Sequence, residues 1–134
     1  MYLLDTNICI YIIKAKPIGV LNQLRKKHKK GLAISTITLA ELEHGVCNSS
    51  RPEQNAIALS GFLSIIEVLP FDTKAAQVYG KIRTDLQKAG RIIGPLDMLI
   101  AAHAISDNLT LVTNNTKEFI RIKDIKVENW VPSN

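Results

Sequence analysis

A regular alternation of short apolar segments with amphipathic ones is the feature that most constrains how this chain folds. The apolar segments predict strands at residues 2–4, 32–35, 65–70, 109–113 and, as a possible fifth, 125–127. One or two helical patterns separate successive strands, in the order β-α-α-β-α-α-β-α-α-β-α-β. Short strands that alternate with helices predict an α/β fold, with a parallel sheet of four to five strands flanked by helices on both faces.

The helical segments are bounded by residues with known preferences for helix ends. Proline suits the first helical turn at Pro17, Pro52 and Pro95, Asp72 is a predicted N-cap, and Gly31 ends the second helix. The predicted helices cover residues 6–14, 17–30, 36–46, 52–63, 73–89, 95–105 and 117–119.

Length and composition predict one globular domain that spans residues 1–134. Apolar residues make up 46% of the chain and charged residues 22%. The longest uncharged apolar stretch, Ile8–Ile13, is far shorter than the roughly 20 residues of a membrane span, and the first residues lack a signal-peptide pattern. We therefore expect a cytoplasmic protein, in which Cys9 and Cys47 are reduced and mostly buried, since no zinc-binding spacing is present.

The positive charge of the chain is local. Five of the 17 basic residues lie in the run Arg25–Lys30, and the remaining 12 balance the 12 acidic residues, so the run accounts for the net charge of +5. One interpretation is a solvated helix end, where cations suit the negative pole of the helix dipole. The other is a patch that binds nucleic-acid phosphates, and both can hold.

Polar residues follow the predicted strands at the edge where open parallel sheets carry their sites. Three carboxylates and an asparagine are expected to converge there, and carboxylates repel one another unless a cation neutralises them. Oxygen ligands of this kind are preferred by Mg²⁺ and Mn²⁺. The residues at this edge are Asp5, Thr6, Asn7, Ser35, Thr36, Glu41, Asp97, Thr113, Asn114 and Asn115.

Each of these residues also has a purely structural interpretation. Asp5 and Thr6 could cap the first helix, and Asp97 could complement a helix dipole. The segment Thr38–Glu41 matches a capping box, and Asn114–Asn115 matches a turn.

Glu43 competes with Glu41 for a place in the predicted site. Two residues apart on a helix, the two side chains point about 200° apart, so only one can face the site. Periodicity alone leaves the choice between them open.

Four segments, in order, resemble the four signature blocks of PIN-domain ribonucleases. They are residues 3–7 (LLDTN), 35–42 (STITLAEL), 93–104 (IGPLDMLIAAHA) and 112–119 (VTNNTKEF). More narrowly, they resemble the VapC toxins of bacterial toxin–antitoxin pairs. The resemblance covers essentially the whole chain, and four blocks at domain-sized spacing are far more specific than any one of them.

The resemblance implies a PIN-like fold and a metal-dependent endoribonuclease in which Asp5, Asp97 and Glu41 bind Mg²⁺ or Mn²⁺. It selects Glu41 over Glu43, and it gives Thr6 and Thr113 supporting roles. The implied substrate is structured RNA such as tRNA, whose hydrolysis would inhibit translation. The partners would be a cognate antitoxin and a second copy of the chain.

Asn115 is the fourth residue for which the resemblance implies a part in catalysis, and it departs from the family pattern, because many PIN domains carry aspartate at that fourth acidic position. A neutral amide weakens the case for a tightly held second metal ion. His103, deeper on its helix, is expected to be packed or exposed rather than catalytic.

Three other functions compete with the ribonuclease. A phosphoacceptor receiver domain requires paired acids after the first strand, which Asp5-Thr6-Asn7 lacks, and Lys117 is poorly placed for its lysine. A nonenzymatic RNA- or partner-binding module on a nuclease scaffold and a DNA-directed nuclease stay open as alternatives.

Overall fold

The computed structural model describes residues 1–132 and contains a five-stranded parallel sheet in the order β3-β2-β1-β4-β5. This confirms the predicted α/β class, and the order of strands and helices along the chain is the predicted one. The strands are β1 (Tyr2–Leu4), β2 (Leu32–Ser35), β3 (Glu67–Leu69), β4 (Thr110–Val112) and β5 (Val127–Glu128).

Helices pack on both faces of the sheet. They are α1 (Thr6–Lys14), α2 (Ile18–Lys27), α3 (Thr36–Cys47), α4 (Pro52–Leu63), α5 (Thr73–Lys88), α6 (Pro95–Ser106) and α7 (Thr116–Phe119). Within residues 1–132, no helix is long and apolar enough to cross a membrane.

Three predicted boundaries were wrong. The third strand begins only at Glu67, because residues 64–66 form the turn that ends α4, where the backbone N–H of Ile65 donates to the carbonyl of Phe62. The fifth strand is Val127–Glu128 rather than 125–127. The second helix ends at Lys27, and His28–Lys30 form a tighter 3₁₀ turn before Gly31, which has a φ of +90°.

Two apolar cores lie on opposite faces of the sheet, because alternate residues of a strand point to opposite sides. Leu3 packs with α5 and α6, whereas Tyr2 and Leu4 pack with α1, α2 and α4. Cys9 is buried in the second core as expected, but Cys47 is exposed, because it is the last residue of α3. The expectation of burial was therefore wrong for Cys47.

His103 is fully buried on α6, which agrees with the expectation that it is packed rather than catalytic. Its ring meets the ring of Phe71 edge-on, with 5.8 Å between centroids. Its Nε2 atom lies 3.2 Å from a carboxylate oxygen of Asp107, close enough for an ionic contact but without hydrogen-bond geometry.

The parallel sheet gives the molecule two distinct edges. At the carboxyl edge, where the strands end, Asp5 follows β1 and Ser35 ends β2, and each is the N-cap of the next helix. At the amino edge, where the strands begin, the carbonyl of Gly31 accepts the backbone N–H of Tyr2 at 2.9 Å. The basic run Arg25–Lys30 immediately precedes Gly31 and therefore leads into the amino edge.

Candidate active site

Asp5 is the buried centre of the carboxyl edge. As the N-cap of α1, it accepts the backbone N–H of Thr6 on one carboxylate oxygen at 2.8 Å. Its other oxygen accepts the hydroxyl of Thr113, which follows β4, also at 2.8 Å. Burial raises the pKa of Asp5, the bonds from Thr113 and Thr6 oppose that rise, and the charge of Glu41 adds to it. Asp5 therefore does cap α1, as its structural interpretation predicts, and the same carboxylate faces the candidate site.

Glu41 is joined to this centre by Thr6. The hydroxyl of Thr6 donates to a carboxylate oxygen of Glu41 at 2.7 Å, so Thr6 contacts both acids through its backbone and side chain. Glu43 is exposed, and the glutamate whose charge raises the pKa of Asp5 is Glu41. Of the two competing glutamates, the structure brings Glu41 to the site.

The capping-box interpretation of Thr38–Glu41 was wrong. Ser35 is the N-cap of α3, and its hydroxyl oxygen accepts the backbone N–H of Ile37 at 3.1 Å. Thr38 is already inside the first turn, with its hydroxyl buried and unpartnered. Glu41 therefore does not cap α3.

Asp97 lies in the first turn of α6 and is only partly exposed. Its pKa rises from the ordinary value of 3.8 to about 6, chiefly through burial and then through the charges of Asp5, Glu118 and Glu41. Each of these three carboxylates is therefore close enough to repel a charge on Asp97.

Glu118, in α7, is the site residue that sequence reasoning missed. The side-chain amide of Asn115 donates to one of its carboxylate oxygens at 3.0 Å, and the backbone N–H of Asn115 donates to the hydroxyl of Thr113 at 2.9 Å. A fourth acid is therefore present at the edge despite the asparagine. The signal was the helical spacing of Asn115 and Glu118, which are three residues apart.

Among the residues that the structure describes, no basic side chain forms an ion pair with these four carboxylates. Within residues 1–132 the ion pairs are Lys27–Glu128 and His103–Asp107, and neither involves the site. The cluster would carry about −4 if fully ionised, which is unfavourable at partly buried positions without a counter-ion.

The cluster was tested as a metal site by its donor chemistry. Four carboxylates supply the oxygen ligands that Mg²⁺ and Mn²⁺ prefer, and two of them are fixed by hydrogen bonds from Thr6 and Thr113. In the described part of the chain, no three acidic, histidine or cysteine side chains are already close enough to enclose an ion. The fit to Mg²⁺ or Mn²⁺ therefore rests on the donor types rather than on a preformed cage, and Mg²⁺ commonly keeps several water ligands.

An apolar groove of about 320 Å³ adjoins Glu41. It lies between α1, α3 and α4, and Lys14 and Asn55 are among its polar lining residues. Its apolar lining residues are Ile10, Ile13, Leu42, Val46, Ala58 and Leu59.

These features place the chain in a known class. It belongs to the PIN domain family, whose pattern matches residues 2–125. Within that family, it is similar to Ribonuclease VapC2 of Rickettsia felis, with 50% identity over 131 residues that make up 97% of this chain and 98% of that protein. The tRNA(fMet)-specific endonuclease VapC of Shigella flexneri is 45% identical over 129 residues, 96% of this chain and 97% of that protein.

A solved relative shares the whole fold. The crystal structure of VapBC2 from Rickettsia felis bound to a DNA fragment from their promoter matches with a TM-score of 0.92 and 48% identity. The match covers 97% of this chain and 98% of that one. The recognition of a PIN-domain, VapC-type ribonuclease from four short segments is thereby confirmed.

Proposed function

We propose that this protein is a metal-dependent endoribonuclease and the toxin of a toxin–antitoxin pair, which acts on structured RNA such as tRNA in the cytoplasm and so inhibits translation. The observation that carries the proposal is the convergence of Asp5, Glu41, Asp97 and Glu118 without a basic partner. The ribonuclease and tRNA-endonuclease names of its relatives support the substrate class.

Asp5, Asp97 and Glu41 are the residues proposed to hold Mg²⁺, with Mn²⁺ as a substitute, and Glu118 faces the same space. When bound, the ion would lower the pKa of a water molecule and offset charge on the scissile phosphate. The raised pKa of Asp97 supports this assignment, because a nearby cation is what would relieve the repulsion that raises it.

The protein's own residues would position the reaction. Thr113 and the backbone of Thr6 hold the two oxygens of Asp5, and the hydroxyl of Thr6 orients Glu41 to accept a proton from the attacking water. Asn115 holds Glu118 in the same way. In-line attack by water, rather than by the 2′-hydroxyl, would leave a 5′-phosphate and a 3′-hydroxyl.

A cognate antitoxin is the proposed protein partner. VapBC complexes among the solved relatives support it, and the apolar groove beside Glu41 suits an amphipathic C-terminal segment of such a partner. A lysine or arginine of that segment would compete for the carboxylates. Assembly as a homodimer completes the proposal, and light scattering at micromolar concentration should show a mass near twice that of the chain.

The proposal is tested by incubating the purified protein with bulk tRNA, with Mg²⁺ or with EDTA, and with a single-stranded DNA of matching sequence as the control substrate. We expect cleavage of RNA only when the metal is present, with 5′-phosphates on the products. Undiminished cleavage in EDTA would overturn the metal-dependent mechanism. Preferential cleavage of the DNA would favour the DNA-directed nuclease instead.

A further inference from the structure

A cleft separate from the carboxylates, lined by both apolar and charged residues, lies between the end of α5 and the segment that follows α7. Its volume is about 270 Å³, slightly below the roughly 300 Å³ at which small-molecule pockets begin, so it suits a phosphate and sugar better than a large ligand. The residues that line it are Ile82, Asp85, Leu86, Ala89, Arg91, Arg121, Ile122 and Lys123.

The charge of this cleft is strongly positive. Arg91, Arg121 and Lys123 are exposed at its mouth and face one acid, Asp85. Neither ion pair found within residues 1–132 involves any of these four side chains. Arg121 donates one hydrogen bond, to the carbonyl of Ile92 at 3.3 Å, and a guanidinium has five N–H donors in all. Most donors of the cleft are therefore available to a ligand.

Two chain segments link the cleft to the carboxylate cluster. The backbone N–H of Arg121 donates to the carbonyl of Glu118 at 3.1 Å, and Arg91 precedes Asp97 by six residues, at most about 20 Å of extended chain. The bond from Arg121 to Ile92 joins these two segments across the cleft. Cations of the cleft are thus carried on the same two segments as two of the carboxylates.

We propose that Arg91, Arg121 and Lys123 bind a phosphate of the RNA strand a few nucleotides from the bond that is cut. This rests on the proposed ribonuclease function. A cluster of carboxylates repels a polyanion, so a nuclease of this design needs positive charge close to the acids but outside them. Guanidinium groups suit such a contact because their planar N–H donors match phosphate oxygens in pairs.

The test measures binding of a fluorescent RNA hairpin by anisotropy at several salt concentrations, in an Asp5→Asn background that leaves the RNA intact. The cleft variant carries R91Q, R121Q and K123Q. The matched control carries K74Q, K81Q and R83Q, three exposed positions of α5 that do not line the cleft and remove the same charge. Thermal melting checks that both variants are folded.

We expect the cleft variant to bind RNA about 10- to 50-fold more weakly near 0.1 M salt, and its log–log salt slope to fall by about 0.7, as one lost phosphate contact to a single strand requires. The control should stay within about threefold. Equal losses in both variants would show a general effect of net charge and would overturn the cleft, as would an unchanged slope.

Asp85→Asn gives a test that does not depend on weakened binding. Removing the acid from the cleft should tighten RNA binding about two- to threefold, and unchanged or weaker binding would count against the cleft. Cleavage by the otherwise unmodified protein is measured in parallel. If that protein cuts no RNA while the cleft variant still loses affinity, the ribonuclease function is overturned and RNA binding at the cleft is supported. If it cuts RNA while the cleft variant and its control bind RNA equally well, only RNA binding at the cleft is overturned.

Discussion

The two edges of the sheet differ in the sign of their charge and in how that charge is paired. At the carboxyl edge, four carboxylates lie together, partly buried and without a basic partner in the described part of the chain. On the other side, the basic run Arg25–Lys30 leads into the amino edge, is mostly exposed, and contributes one lysine to an ion pair, Lys27 with Glu128. The nitrogen of Lys27 also lies 5.5 Å from the centre of the Tyr2 ring.

The difference separates charges that form an ion pair within the fold from charges that have no ionic partner in the described residues. Lys27 and Glu128 satisfy each other, and Glu128 also accepts the indole N–H of Trp130 at 3.0 Å, so this contact fastens α2 to β5. Among residues 1–132 the carboxylates have hydrogen-bond donors but no such ionic partner, and mutually repelling acids of this kind are typical of functional sites. The run that gives the chain its basicity is thus not part of the candidate active site.

The largest expected effect is loss of activity on neutralising an acid of the cluster. Asp5→Asn and Asp97→Asn should each lower the rate of RNA cleavage by at least about a hundredfold, because each removes a charged oxygen ligand at nearly constant volume. The measurement is the single-turnover rate in Mg²⁺. Glu43→Gln, on the exposed side of α3, is the control and should stay within about twofold. A wild-type rate in either aspartate variant would remove that residue from the ligand set.

The contribution of Glu118 is the next largest effect. Glu118→Gln should lower the cleavage rate about 10- to 100-fold, and Asn115→Ala about tenfold, because Asn115 acts by holding Glu118. The double variant should be no worse than Glu118→Gln alone, since both changes disable one unit. Additive losses would show that Asn115 acts separately. Asn114→Ala, whose side chain bonds only Asn129 in the described residues, is the matched control.

Stability gives a smaller effect with a definite pH dependence. The folded-state pKa of Asp97, about 6, lies above its ordinary value of 3.8, so the folded protein holds an extra proton between these values. The stability of the metal-free protein should therefore fall as the pH rises through this window. At pH 7.5, Asp97→Asn should raise Tm by about 2–4 °C, a figure kept small because the carboxyl is partly solvated.

Adding metal should reduce or reverse the difference in Tm between Asp97→Asn and the wild-type protein. Mg²⁺ should raise the Tm of the wild-type protein more than that of Asp97→Asn, because only the wild type has the full set of acids to bind it. Equal shifts in calorimetric scans would mean that Asp97 does not bind the ion.

The smallest expected effect lies in the basic run. Neutralising Lys26, Lys29 and Lys30 should change RNA affinity by less than about threefold, because the run leads to the edge opposite the carboxylates. This variant loses three positive charges, as many as the variant with R91Q, R121Q and K123Q, so the two variants can be compared directly in one salt titration. A larger loss in the run than in the cleft would place the principal RNA contact at the amino edge.

Sequence patterns predicted most of what depends on neighbours along the chain. The helix starts at Thr6 and Pro52 follow from the end preferences of aspartate and proline, and Asp5 was found because it directly follows a strand. Strand limits were less well predicted, since residues 65 and 66 are as apolar as the strand they precede but belong to a turn.

What the sequence did not predict depends on contacts between distant segments. Lys27 and Glu128 are 101 residues apart, and no local pattern links them. Glu118 was overlooked because its position at the site depends on α7 turning back beside Asp97, which only the folded chain shows. The metal-binding and catalytic roles of Asp5, Glu41, Asp97 and Asn115 stay predictions.

Asp5 is both the N-cap of α1 and a carboxylate of the candidate site, which predicts how its variants behave in a cell. Its carboxylate caps α1 and is held by Thr113, so Asp5→Ala would strip a helix of its cap and lower the abundance of the protein along with its chemistry. Asp97 caps nothing, and Asp97→Asn should leave an inert protein at full dosage. In a cell that also carries the wild-type gene, the Asp97→Asn protein would bind the antitoxin and leave more wild-type protein uninhibited. The Asp5→Ala allele would behave as a simple deletion.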